Sequence, residues 1–153
     1  MPAIGLASWT VTTKPTITST KKKELMNTRL MYVELKSGYS NNGPAWIGFV
    51  TFSRTKTTIY FNNKAFKKSG GTSSNFYDIE TGEGYWISGV KKKGEDRHWA
   101  GNGKILIDKK AIDEYLKIAR DEKLDKSRFE IAEINETRDK EDFVEIENRV
   151  TEE

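Results

Sequence analysis

The 153-residue chain is the size of one ordinary domain, and its 35% hydrophobic and 32% charged residues describe a small core with extended polar segments. It has no Cys and a single His, which excludes disulfides and Cys-ligated zinc or iron–sulfur centres and argues against a transition-metal site within one chain; no cofactor is expected. The formal charge of +3 divides unevenly: residues 1–30 hold five Lys/Arg and one Glu, residues 31–107 eleven and six, and residues 108–153 ten against sixteen, the pattern of a polyanion binder or of a self-shielded basic face.

Residues 1–30 are rich in Thr, Ser and Lys, with Pro15 between Thr10-Val11-Thr12-Thr13 and Thr16-Ile17-Thr18, and Lys21-Lys22-Lys23 further on. They read as a basic, mostly disordered arm. No basic start followed by an apolar stretch marks a secretory signal, and the apolar runs are too short to span a membrane. A cytoplasmic protein is the expectation.

Residues 31–107 carry 13 of the 17 aromatics and 11 of the 12 Gly, and short β-favouring runs alternate there with turn clusters. Strands are predicted at Met31 to Leu35, Ala45 to Ser53, Thr57 to Phe61, Ala65 to Lys67, Phe76 to Ile79, Tyr85 to Val90 and Ile105 to Ile107. Asn62-Asn63-Lys64 and Thr81-Gly82-Glu83-Gly84 are predicted turns. Asp108 is a good N-cap, and Ile112, Tyr115, Leu116 and Ala119 follow at helical spacing, so a helix is expected from about Lys109 to Glu122. Residues 124–153 form an acidic C-terminal segment. Within it Phe129 to Ile134 and Phe143 to Ile146 read as two strands of a hairpin, or as a short helix and a tail. The predicted fold is mainly β with one helix (α+β): a small antiparallel half-open barrel or curved sheet over residues 31–123, with the helix packed on it.

The run from Tyr85 to Lys104 concentrates basic, aromatic and titratable side chains, and reads as a β-hairpin with a basic tip. Exposed aromatics interleaved with cations are how small barrels hold single-stranded nucleic acid, the bases stacking while Lys and Arg meet phosphate. The candidate contact residues are Lys91, Lys92, Lys93, Arg97, Lys104, Trp86, Trp99 and Tyr85, with Lys56, Lys64, Lys67 and Lys68 as further cations. Buried Trp is common in β cores, so each Trp also has a purely structural reading. His98 is the one candidate general base near neutral pH, but its neighbours on a strand would face the other way. The Gly101-Asn102-Gly103-Lys104 stretch precedes a strand, whereas a phosphate loop would follow one and open a helix. No catalytic residue is assigned.

The strings Gly43-Pro44-Ala45-Trp46-Ile47-Gly48, Ile59-Tyr60-Phe61-Asn62, Tyr85-Trp86-Ile87-Ser88-Gly89-Val90 and Asp96-Arg97-His98-Trp99-Ala100-Gly101 resemble a group of short uncharacterised bacterial proteins. The likeness runs from Met31 to about Ile118. Some of that group carry the label deoxyxylulose-phosphate synthase, an enzyme that holds thiamine diphosphate through a Gly-Asp-Gly motif. This sequence has no such motif, and 153 residues cannot supply that enzyme's cofactor-holding domains. The resemblance implies a domain starting near Met31 and transfers no catalytic residue.

The leading functional expectation is a non-enzymatic binding module for a nucleic acid or nucleoprotein. A second is a protein-interaction or inhibitor factor of the defence or counter-defence type. A third is a small phosphodiester-acting enzyme using His98.

Overall fold

The computed structural model describes residues 27–38, 42–71, 73–92, 96–97 and 103–152. Six strands close an antiparallel barrel: β1 (Thr28–Leu35), β2 (Ala45–Phe52), β3 (Thr58–Phe61), β4 (Lys64–Lys68), β5 (Phe76–Asp78) and β6 (Gly84–Gly89), in the order β1-β6-β5-β4-β3-β2 with β2 returning to β1. The sheet is therefore closed rather than half-open. β1 starts at Thr28, inside the stretch predicted as arm; the rest of that predicted arm, residues 1–26, lies outside the described residues.

Alternation along each strand sends one set of side chains inward. Met31, Val33 and Leu35 of β1 meet Val50, Ile59, Phe61, Phe66, Phe76, Tyr85 and Ile87 in the interior. The Phe66 and Tyr85 rings lie 4.7 Å apart, centroid to centroid. Burying each such large side chain contributes about 2 kcal/mol. Gly48 also faces inward, because a Cβ there would stand 2.7 Å from Phe61 Cε1. Asn62 and Asn63 take left-handed φ values of 52° and 59°, which closes a two-residue hairpin pairing Phe61 with Lys64.

β2 has a divided outer edge. Its C-terminal Thr51 and Phe52 pair with β3, while its N-terminal Ala45 to Ile47 pair in parallel with β7 (Ile105–Asp108). β8 (Phe129–Ala132) then adds in parallel to β7. Ile105 to Ile107 is thus a strand, as predicted, but it lies outside the barrel and does not pair with β6. Asp108 accepts the Lys110 N–H at 3.2 Å and caps a single 3-10 turn, Lys109–Ala111. α1 (Ile112–Ala119) follows and stops three residues earlier than predicted, because Arg120 turns left-handed at φ 59° and its N–H returns to the Leu116 carbonyl.

The outer face of β1 and β2 is covered by this unit: Leu30, Tyr32, Ala45 and Ile47 pack with Ile105, Ile107, Ala111, Tyr115 and Phe129. β1 is buried on both faces from Leu30 onward. After β8 the chain crosses an end of the barrel, since Ile134 joins the interior cluster without belonging to a barrel strand. A second helix, α2 (Lys140–Glu152), then packs Phe143 and Ile146 against Ala65 and Ile79 on the outside. Phe143 to Ile146 is therefore helical, and the hairpin reading of the acidic segment fails. Among the described residues no helix is long and apolar enough to cross a membrane.

Candidate functional site

On β4 and β5 the register sets Thr58 opposite Lys67 and Lys67 opposite Tyr77. Phe66, Phe76 and Asp78 point into the barrel, so Lys67 and Tyr77 point out. Tyr77 lies opposite Gly84 of β6, and Trp86 stands two residues further along the same outer face. Such diagonal neighbours have Cα atoms about 7–8 Å apart. Tyr77 and Trp86 are each 37% exposed. The strands that carry them are joined by Asn75, just before β5, which donates Nδ2–H to the Ile87 carbonyl at 2.7 Å and accepts the Ile87 N–H at 2.8 Å. Gly84 leaves room for Ser74, whose Oγ would be 2.7 Å from a Cβ at that position.

The turn between β2 and β3 borders Tyr77. Ser53 organises it: its carbonyl accepts the Lys56 N–H at 2.9 Å, and its hydroxyl accepts the N–H groups of Thr57 at 3.2 Å and Thr58 at 3.0 Å. Lys56 sits at a left-handed φ of 62°. Thr55, Lys56 and Thr57 together with Lys67, Lys68 and Tyr77 line a shallow depression of ≈ 450 Å³. Three lysines and an aromatic ring thus line one corner of the barrel near Trp86, Lys67 from the outer face of β4 and Lys68 from its end, opposite Phe76. Lys67 is already engaged, its ammonium held by the Glu147 carboxylate of α2.

A second hollow, ≈ 280 Å³, lies where the chain enters α2 and is lined by Thr51, Tyr60, Glu136, Arg138, Asp139, Lys140, Glu141 and Phe143. Its cations are spent on the fold. Arg138 lies 4.9 Å over the Phe143 ring and 3.1 Å from Glu80, and Lys140 lies 5.3 Å over Tyr60. It is the seam by which the helix docks.

A buried polar cluster stands on the outer side of β1. The Tyr32 hydroxyl donates to Glu34 Oε1, and Glu34 Oε2 is 2.8 Å from Lys36 Nζ. Nearby, Arg97 Nη2 donates to the Gly43 carbonyl at 2.8 Å, and Asp96 Oδ1 accepts the Lys91 N–H at 2.7 Å. Burial, reinforced by the Glu34 carboxylate, pushes the Tyr32 phenol far above its ordinary range. It stays protonated and serves as a donor, which is a fastening role rather than that of a base. Burial likewise raises the Asp96 carboxyl, against the opposing pull of Lys91 and Arg128. Arg97 ties the described residues 96–97, which lie between β6 and β7, to the segment just before β2.

The predicted contact residues separate on this frame. Tyr85 is core, at 2% exposure, and Arg97 is buried at 6%, so neither offers a surface contact. Trp86, Lys91, Lys92 and Lys104 are exposed. Lys93, Trp99 and His98 lie outside the described residues. The second arm expected around Trp99 lies outside the described residues, and β7 does not pair with β6: β6, β2 and β7 run in the same direction, and β1 and β2 lie between β6 and β7. The register puts Gly89 level with Met31, and Ile105 level with Ala45 and Glu34. That separates the two strand ends by roughly 10 Å along the strands and 14 Å across them. Lys91 and Lys92 therefore stand at one end of the barrel and Lys104 at the other. Sequence reasoning counted Lys56, Lys67 and Lys68 among the cations but did not single out Tyr77; the alternation of Phe76, Tyr77 and Asp78 could have marked it as outward.

Among the described residues no group of three or more Asp, Glu or His is placed to hold a metal ion. No family model, no curated protein and no solved structure matches this chain.

Proposed function

We propose that the chain is a non-enzymatic binding module for single-stranded nucleic acid, engaged through the outer face of β5 and β6 and the adjoining β2–β3 turn. The observation that carries the reading is the exposed pair Tyr77 and Trp86 beside Lys56, Lys67 and Lys68. Two aromatic faces at diagonal spacing on adjacent strands suit two unstacked bases, and the lysines suit the phosphates that join them. A single strand is preferred over a duplex because duplex bases are already stacked on one another. A protein partner fits this face less well, since Lys is depleted at the centre of protein interfaces. Trp86 alone favours a second reading, a protein partner anchored on its ring, because Trp is enriched among interface hot spots.

Fluorescence anisotropy of a short labelled oligothymidylate across a salt series tests the proposal. Neutralising phosphates with three lysines predicts log Kd rising with log salt at a slope of roughly 2 for a single strand. No binding at low salt would remove the nucleic-acid reading. A protein partner retained after nuclease treatment, with weak salt dependence, would favour the second.

A further inference from the structure

The position of α2 bears on how the proposed face is regulated, and the argument rests on the nucleic-acid reading above. Phe143 and Ile146, one turn apart on the helix, are buried against the barrel. Glu147 follows Phe143 by four residues and so shares that inward-leaning side. This registry brings the Glu147 carboxylate onto the Lys67 ammonium, one of the three lysines of the site. The strap before the helix is fixed independently: Asn63 Oδ1 accepts the N–H groups of Thr137 at 2.7 Å and Arg138 at 3.0 Å.

We infer that α2 is an intramolecular competitor, in which Glu147 occupies on Lys67 the place that a phosphate of the bound strand takes. The carboxylate and a phosphate oxygen are both anionic acceptors for the same ammonium, and both cannot hold it at once. Lys67 and Glu147 remain partly open to solvent, at 31% and 40%, so a ligand can displace the carboxylate without unpacking Phe143 or Ile146. The contact thus lowers affinity by a modest factor and is displaced most readily by a well-placed phosphate.

The test compares Glu147→Gln with Glu145→Gln on the full chain, using the same oligothymidylate at low salt. Both variants lose one negative charge from the same helix, and Glu145 is exposed. Exposed ion pairs of this kind correspond to about two- to five-fold in an equilibrium constant. Glu147→Gln is therefore expected to bind about two- to five-fold more tightly than wild type, and Glu145→Gln to gain clearly less. Equal gains would mean a net-charge effect and would overturn the inference, as would a Glu147→Gln affinity equal to that of wild type. Wild-type binding that is lost in Tyr77→Ala but untouched by Glu147→Gln sinks the competition alone. Absence of binding in wild type and both variants sinks the proposed function and the competition with it.

Discussion

Removing the Tyr77 ring is the sharpest test of where a strand would lie. The residue projects outward from a three-residue strand whose other side chains, Phe76 and Asp78, are buried. Alanine at an aromatic that stacks a base costs about 1–3 kcal/mol, or roughly 5- to 150-fold in Kd. Because over a third of Tyr77 is already exposed, the same substitution should lower folding stability by only about 1 kcal/mol. Binding and stability thus respond unequally, which a residue of purely structural importance would not show. Tyr77→Phe keeps the stacking surface and should bind within about two-fold of wild type, since the hydroxyl has no part in stacking. Anisotropy with the labelled oligothymidylate reads the affinity, and thermal denaturation by circular dichroism reads the fold. A Tyr77→Ala protein that melts close to wild type and binds as tightly would refute the placement of the site on β5.

Two further predictions concern the frame. Gly48→Ala sets a methyl against the Phe61 ring, which the surrounding interior side chains hold in place, and should cost about 1–3 kcal/mol by overpacking; an unchanged urea midpoint would show that the ring moves freely. Asp96→Asn keeps an oxygen for the Lys91 N–H but removes a buried charge. Burial raises the folded pKa of Asp96, so its contribution to stability is fully present below the unfolded value and is lost as pH rises through the folded one. The variant should therefore be more stable than wild type at neutral pH, and the gap should close as pH falls below the ordinary 3.8. Melting temperatures measured against pH check the sign, and a gap that widens on acidification would contradict it.

The barrel was legible because its signals are local. Asn62-Asn63 announces a two-residue turn by residue type, and the alternation of Trp46, Gly48, Val50 and Phe52 against Ile47 and Phe49 marks the two faces of β2. The position of Ile105 to Ile107 was not legible, because an apolar triplet reads the same whether its neighbour is antiparallel β6 or parallel β2. That choice depends on contacts distant in sequence, such as Arg97 on the Gly43 carbonyl, across 54 residues. Tyr85 was misplaced for a related reason. Next to Trp86 it looks like half of an aromatic patch, yet period-two alternation sends the pair to opposite faces, one into the core and one outward. The helical nature of Phe143 to Ile146 did leave a signal. Asp142 Oδ2 accepts the Asp139 N–H at 3.2 Å, the reciprocal half of a capping box, and Glu141 and Asp142 sit favourably in the first turn.

Closing the sheet also constrains where function can lie. Among the described residues the barrel interior is filled by Phe61, Phe66, Tyr85 and their neighbours, as in small barrels whose side chains take up the lumen. The proposed binding face accordingly lies on the outside, and among the described residues much of the outside is already covered. α1, β7 and β8 cover β1 and the start of β2, and α2 covers part of β3 and β4. Tyr77 and Trp86 belong to β5 and β6, whose outer faces neither of these units covers among the described residues. The acidic third of the chain supplies β8 and α2, so its charge is folded onto the basic barrel rather than carried on a separate tail. The uneven charge along the sequence becomes a juxtaposition in space at Lys67 and Glu147, which is where a polyanion would first have to compete.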